Sequence, residues 1–257
     1  MKQSSFGFIG GGRITKIFLQ ALANKHVEVP SILVCDTNPD VLKSLQQKFP
    51  KIQTTESCEL AAKQEVVFIA LHPPVIMETL EKIKDSVTAM TQLVSLAPKI
   101  SIEKIASKLA TKNIARMIPN ATSYINKGYN PVTFSPAYAA GEKQSLLELL
   151  NTLGKTFTVE ESKLEAYAMV SAMLPTYFWF QWQEMQKLAL DMGLDAGESK
   201  ETVHQTLLAA IDLLFETELN YNEVVDLIPV KPIGEHEAQI TGIYQEKLMG
   251  LYQKIKP

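Results

Sequence analysis

An α/β fold, a doubly wound parallel sheet followed by a smaller all-helical domain, is predicted by three features of the sequence. Short continuous apolar runs alternate with helical periodicity over roughly the first 160 residues, and the first of these runs ends in three successive glycines. Past Glu160 the strand-like runs give way to long helical patterns rich in Met, Leu, Ala and aromatic side chains. Alternating β and α elements imply a parallel sheet with helices on both faces. The expected domains are therefore 1–160 and 161–257.

Phe6-Gly7-Phe8-Ile9 lacks polar alternation, as a strand buried on both faces would. From Ile14 the apolar residues Ile17, Phe18, Ala21 and Leu22 recur at helical spacing as far as Asn24, and a second strand is expected over 31–35, ending at Asp36. Pro39 suits the first turn of a helix reaching Gln47. The clearest buried strand is 66–71, halted by His72-Pro73-Pro74 and followed by a helix over 75–84 and a strand over 93–96. Further strands are expected at 114–117, 131–134 and 156–159, with a helix over 143–153 that Gly154 terminates. The helical part reads as segments 164–173, 175–192 ending at Gly193, 200–218 and 235–255. Phe178, Trp179, Trp182, Met185 and Leu188 make the second of these too apolar for a lone surface helix, which predicts a homodimer through the helical domain, with burial inside one chain as the alternative.

With 46% hydrophobic and 21% charged residues in 257, the composition is that of an ordinary globular protein rather than a disordered, fibrous or membrane one. A net charge of -3 supplies no basic field, so nucleic acid is not an expected partner. No apolar run approaches the ~20 residues a bilayer requires, and no leader-like segment precedes the first strand, so a cytoplasmic location is expected. Cys35 and Cys58 have neither C-x-x-C nor metal spacing and read as small packed thiols, and no metal is expected.

Gly10-Gly11-Gly12 follows a buried strand, opens a helix through Arg13 and Ile14 and precedes a second strand ending in an acid, the context that a Rossmann-type dinucleotide loop requires. Gly10 permits the tight turn, and Gly12 lets backbone N–H groups approach a diphosphate that the helix N-terminus also favours. Thr15 stands where the motif prefers Gly or Ala. Asp36 is placed to accept hydrogen bonds from the adenosine ribose and to repel a 2′-phosphate, favouring NAD over NADP; a helix-capping role is the alternative. Arg13 is placed either to contact phosphate or to stand solvated at the helix start, and His72-Pro73 either lines the cleft or only stops the strand.

The chain resembles the pyrroline-5-carboxylate reductase family in several segments. Phe8-Ile9-Gly10-Gly11-Gly12, Val67 to Pro73, Arg116-Met117-Ile118-Pro119-Asn120, and Leu164-Glu165-Ala166 through Pro175-Thr176-Tyr177 carry the likeness. It implies a Rossmann domain, an interlocked helical dimer, and NAD or NADP supplying hydride to a cyclic C=N bond of a small substrate. On this reading Asn120 supports the nicotinamide side of the cleft, Tyr177 or His236 donates a proton or orients substrate, and Lys99 meets an anionic substrate group. The family's S-G-S-G-P-A-Y is here Ser171 to Tyr177 with Ala172, Met173 and Leu174 in its middle, and its S-P-G-G-T-T substrate loop is replaced by a stretch holding Glu235 and His236. The resemblance therefore implies reduction with an altered substrate range, Glu235 being placed to contact substrate. Two other readings stand beside it: a carbonyl-reducing dehydrogenase and a non-catalytic dinucleotide sensor.

Overall fold

The computed structural model describes residues 4–257, which form two compact units: one runs through Met173 and takes in Tyr252–Pro257, and the other is Leu174–Leu251. The first unit holds strands β1 (Phe6–Ile9), β2 (Ile32–Cys35), β3 (Gln53–Thr55), β4 (Val66–Ile69), β5 (Gln92–Ser95), β6 (Ile114–Met117), β7 (Gly128–Phe134) and β8 (Gly154–Thr158). Its helices are α1 (Arg13–Asn24), α2 (Pro39–Lys48), α3 (Cys58–Ala61), α4 (Pro73–Ile83), α5 (Ile102–Ala106), α6 (Ala140–Leu150) and α7 (Leu164–Tyr167). Among the described residues the eight strands form one sheet in the order β3-β2-β1-β4-β5-β6-β7-β8. The chain runs outward from β1 to β3 and then crosses back to β4 on the other side of β1, with Phe8 opposite Val34 on one side and Phe68 on the other. That reversal opens a crevice at the carboxyl ends of β1 and β4, where open α/β sheets bind ligands.

Because side chains alternate across a strand, the uninterrupted apolar runs fill two cores at once. Phe6, Phe8, Val34, Phe68, Val94 and Met117 pack on the face that also buries Phe18 and Leu22 of α1 and Leu45 of α2. Ile9, Cys35, Val67, Ile69, Leu93 and Ile114 face the other way, towards Ile76 and Leu80 of α4. Phe8 and Phe68 stack with ring centroids 4.7 Å apart, and Phe18 closes on the same pair.

The sheet departs from the expected all-parallel arrangement at β7, which runs antiparallel to β6. The reason is the connection: a parallel return needs a crossover of about a dozen or more residues, whereas β6 and β7 are joined by a loop containing only the 3₁₀ turn Ala121–Ile125. Helix α4 starts two residues before the periodicity predicts, since Pro73 occupies the first helical position, where its missing N–H costs nothing. The single helix expected over 164–173 is α7 followed by a π-helical turn, Ala168–Ala172. The periodicity reading also lacks β3, α3 and α5, which at three to five residues are too short to show a period.

The second unit contains α8 (Leu174–Asp191), α9 (Ala196–Phe215) and α10 (Tyr221–Asp226), and α11 (Glu237–Ile255) starts in it. Gly193 follows α8 with φ +101°, the left-handed stop that the sequence predicts. Helices α9 and α10 each begin with a full capping box, Asp195 with Glu198 and Asn220 with Glu223. No helix among the described residues is long and apolar enough to cross a membrane.

Candidate active site

The loop after β1 turns at Gly10 with φ +102°, and a Cβ there would lie 2.5 Å from the carbonyl oxygen of Ala70 at the end of β4. Glycine is thus required both by the left-handed backbone and by the closeness of the neighbouring strand. Its N–H donates to the Cys35 carbonyl at 2.8 Å, tying the loop to the end of β2. Thr15 is fully buried, and its hydroxyl donates to the Gly10 carbonyl, so the residue that departs from the motif clamps the turn it follows. A Cβ on Gly12 would meet nothing within 4 Å, and Gly12 is the N-cap of α1 with no side chain to occupy the helix end. The first turn of α1 contains no acid and begins with Arg13 and Ile14. Main-chain N–H groups and the positive end of a twelve-residue helix therefore point to open space, an arrangement suited to a diphosphate.

Asp36 stands half-buried just beyond β2. One carboxylate oxygen accepts the Gly11 N–H at 2.7 Å and the other accepts the Asn38 N–H at 2.9 Å. The cap of α2 is instead Asn38, whose side chain accepts from the Asp40 N–H. His72 is exposed and is the N-cap of α4 without a side-chain hydrogen bond, with Pro73 behind it; both lie at the carboxyl end of β4 beside the Gly10 loop.

Asn120 is buried and fully engaged. Its Nδ2 donates to the Ser171 carbonyl (3.0 Å) and hydroxyl (3.1 Å), while its Oδ1 accepts from the backbone N–H and the hydroxyl of Thr122. Both amide hydrogens and both lone pairs are spent inside the protein, so Asn120 fastens the π-helical turn to the loop after β6.

Lys99 is exposed on the loop after β5, and its φ of +77° is the left-handed region that a non-glycine residue adopts only at a cost. What holds it there is a buried charge network that sequence reasoning left without a role. Arg116 of β6 is fully buried, with Nη1 on Glu161 at 2.8 Å and Nη2 on the equally buried Glu165. Glu165 Oε1 also accepts the Lys99 N–H at 3.1 Å, and Glu161 Oε1 accepts the Ile102 N–H at 2.8 Å. One signal was available: Arg116 is a lone cation in an otherwise apolar four-residue strand.

Tyr177, Glu235 and His236 belong to the helical unit. Tyr177 is half-buried against Tyr244, with ring centroids 6.4 Å apart, and burial raises its pKa above the usual phenol value. The side chains of Glu235 and His236 are 83% and 57% exposed, 3.5 Å from each other on a 3₁₀ turn. Among the described residues no group of three or more His, Cys, Asp or Glu side chains could hold a metal ion.

A family profile described as "NADP oxidoreductase coenzyme F420-dependent" matches residues 5–99, from β1 through the Lys99 loop. Pyrroline-5-carboxylate reductase of Corynebacterium melassecola is 24% identical over 255 residues, covering 98% of this chain and 94% of that protein. The Pasteurella multocida enzyme of the same name is 25% identical over 221 residues, covering 84% and 80%. Among solved structures, Plasmodium falciparum pyrroline carboxylate reductase with NADP bound aligns at a TM-score of 0.78 and 17% identity, over 99% of this chain and 96% of that one. A pyrroline-5-carboxylate reductase from Coxiella burnetii aligns at 0.70 and 26% identity, over 99% and 95%.

Removing Arg116 would leave Glu165 as an unpaired buried charge, so Arg116→Ala is expected to cost about 3–5 kcal/mol of stability in denaturant unfolding; a change under 1 kcal/mol would contradict the role given to this network. Relief of the left-handed strain predicts that Lys99→Gly stabilises the protein by about 1 kcal/mol, read in the same assay.

Proposed function

We propose that this chain, which belongs to the pyrroline-5-carboxylate reductase family, is a cytoplasmic NAD(P)H-dependent reductase acting on the C=N bond of a small cyclic imine. The observation that carries this reading is the turn at Gly10, pressed against the Ala70 carbonyl and opening on an uncapped helix N-terminus. Bound there, the dinucleotide supplies the hydride. The N–H groups of Gly12, Arg13 and Ile14 at the open end of α1 would hold its diphosphate, the Gly10 and Gly11 N–H groups being engaged by Cys35 and Asp36. Asp36, oriented by the Gly11 N–H, accepts from the ribose hydroxyls; its negative charge opposes a 2′-phosphate and gives NADH the advantage over NADPH. Asn120 acts on the site by fixing the π-helical turn. The Lys99 ammonium, exposed beside the crevice, meets an anionic substrate group. Tyr177, half-buried in the helical unit and carrying a phenol proton at neutral pH, is a candidate proton donor, and Glu235 and His236 replace the family's substrate loop and alter its range.

The second part of the reading is a homodimer built on the helical unit. Helices α8, α10 and α11 contain no buried residue, and in α9 the buried residue is Ser199. Trp179, Phe180, Met185, Leu208, Ile211 and Phe215 are all exposed, with Phe180 at 66% and Phe215 at 70%. Helices carrying that much unburied apolar surface find a core by packing against a second copy.

Turnover of NADH and NADPH with pyrroline-5-carboxylate and other cyclic imines, alongside titration of both cofactors, tests the activity. Asp36→Ser is expected to raise the NADPH-to-NADH affinity ratio by about tenfold or more, and a reduced protein that binds neither dinucleotide would end the reductase reading. Light scattering should give twice the 28.6 kDa chain mass, and Phe180→Glu should shift the protein towards that single-chain mass; a monomeric parent would refute the dimer.

A further inference from the structure

Cys35 and Cys58, 23 residues apart in sequence, lie with their sulfur atoms 2.8 Å from each other. Both are free thiols. Cys35 is the last residue of β2, fully buried, and Cys58 is the first residue of the four-residue helix α3 and half-buried. Among the described residues no group of three or more His, Cys, Asp or Glu side chains, this pair included, is placed to hold a metal ion. Two thiols in contact, one of them within reach of solvent, are instead arranged for oxidation to each other.

Their protonation is asymmetric in the direction this chemistry needs. The hydrogen bond from Cys35, and secondarily the nearby Lys82 ammonium, lower the Cys58 pKa, while desolvation and the Glu59 and Asp36 charges act against this. Cys35 is pushed up, first by its hydrogen bond to Cys58 and then by burial. Cys58, half-buried and within reach of solvent, is thus placed to be the attacking sulfur and the fully buried Cys35 the resolving one.

We propose that Cys35 and Cys58 form a reversible disulfide when the protein meets a peroxide, and that this bridge weakens dinucleotide binding at the Gly10 loop. The second half rests on the reductase reading above; the first does not. Cys58 sulfur attacks one oxygen of hydrogen peroxide, the O–O bond breaks, and the departing hydroxide takes a proton to leave as water, giving a Cys58 sulfenic acid. Loss of the Cys58 thiolate removes the interaction that held the proton on Cys35. Cys35 sulfur then attacks the sulfenic sulfur, the S–O bond breaks, and the hydroxide departs as water with the Cys35 proton. Two thiols lose two electrons in all, and one peroxide becomes two waters.

Bond formation brings the sulfurs from 2.8 Å to about 2.05 Å. The backbone of Cys35 is tied directly to the glycine turn. Its carbonyl accepts the Gly10 N–H, and the next residue, Asp36, holds the Gly11 N–H. A displacement of β2 towards α3 therefore shifts the Asp36 carboxylate and the Gly10–Gly11 turn that leads into the open end of α1.

The experiment uses the full chain, reduced and then treated with hydrogen peroxide. Intact mass should fall by two hydrogens within one chain and recover with dithiothreitol. The dissociation constant for NADH should rise at least about fivefold in the oxidised form. Cys58→Ser, and separately Cys35→Ala, should show no such mass change and no peroxide effect on affinity. Masses showing added oxygen, linkage between chains, or no reaction overturn the bridge; an unchanged dissociation constant in a bridged protein overturns its effect. A reduced protein that binds neither NADH nor NADPH removes the functional reading and the coupling together, while mass alone still decides the bridge.

Discussion

Strand β1 leaves the sheet through Gly10, whose left-handed backbone lets its N–H reach the Cys35 carbonyl while its own carbonyl receives the Thr15 hydroxyl. Those two hydrogen bonds tie the ends of β1 and β2 and the first turn of α1 into one rigid corner. Gly11 adds a third link through Asp36. Nothing larger than hydrogen fits at Gly10 because the Ala70 carbonyl of the neighbouring strand stands where a Cβ would be. The direction of α1, the position of the Asp36 carboxylate and the nearness of Cys35 to Cys58 all follow from this corner.

Arg116 plays the matching part on the other side of the crevice. A buried guanidinium is costly to desolvate, and the cost is offset only when carboxylates and hydrogen bonds surround it. Here the carboxylates of Glu161 and Glu165 do more than neutralise it, because the same oxygens accept backbone N–H groups of Ile102 and Lys99. The loop after β5 is therefore held by charge, which is how a lysine comes to sit in a left-handed conformation. Asn120 does the same with neutral groups, closing the loop after β6 on the π-helical turn through Ser171. The loops after β5 and β6 are thus each held by a buried polar fastening, one ionic and one neutral.

The helical unit follows a different logic. Its helices are well started, by capping boxes at Asp195 and Asn220, yet they bury almost nothing. Local hydrogen bonding can begin a helix but does not by itself stabilise one of this length, and most helical stability comes from packing an apolar face. The aromatic and aliphatic side chains of α8 and α9 supply that face.

The sequence by itself determined the features that depend on neighbours along the chain. Unbroken apolar runs such as 66–71 disclosed the doubly buried strands, the glycine cluster disclosed the turn, the stripe from Phe178 to Leu188 marked the strongly apolar helix α8, and Gly193 marked its end. These are legible because strand alternation, glycine's backbone freedom and helical spacing act within a few residues. Tertiary structure alone decided the reversal of β7, the saturation of Asn120, the place of Arg116 between two carboxylates 45 and 49 residues away, and the meeting of Cys35 with Cys58. Each of these is a pairing between segments distant in sequence, and no periodicity records a partner that only the folded sheet brings alongside.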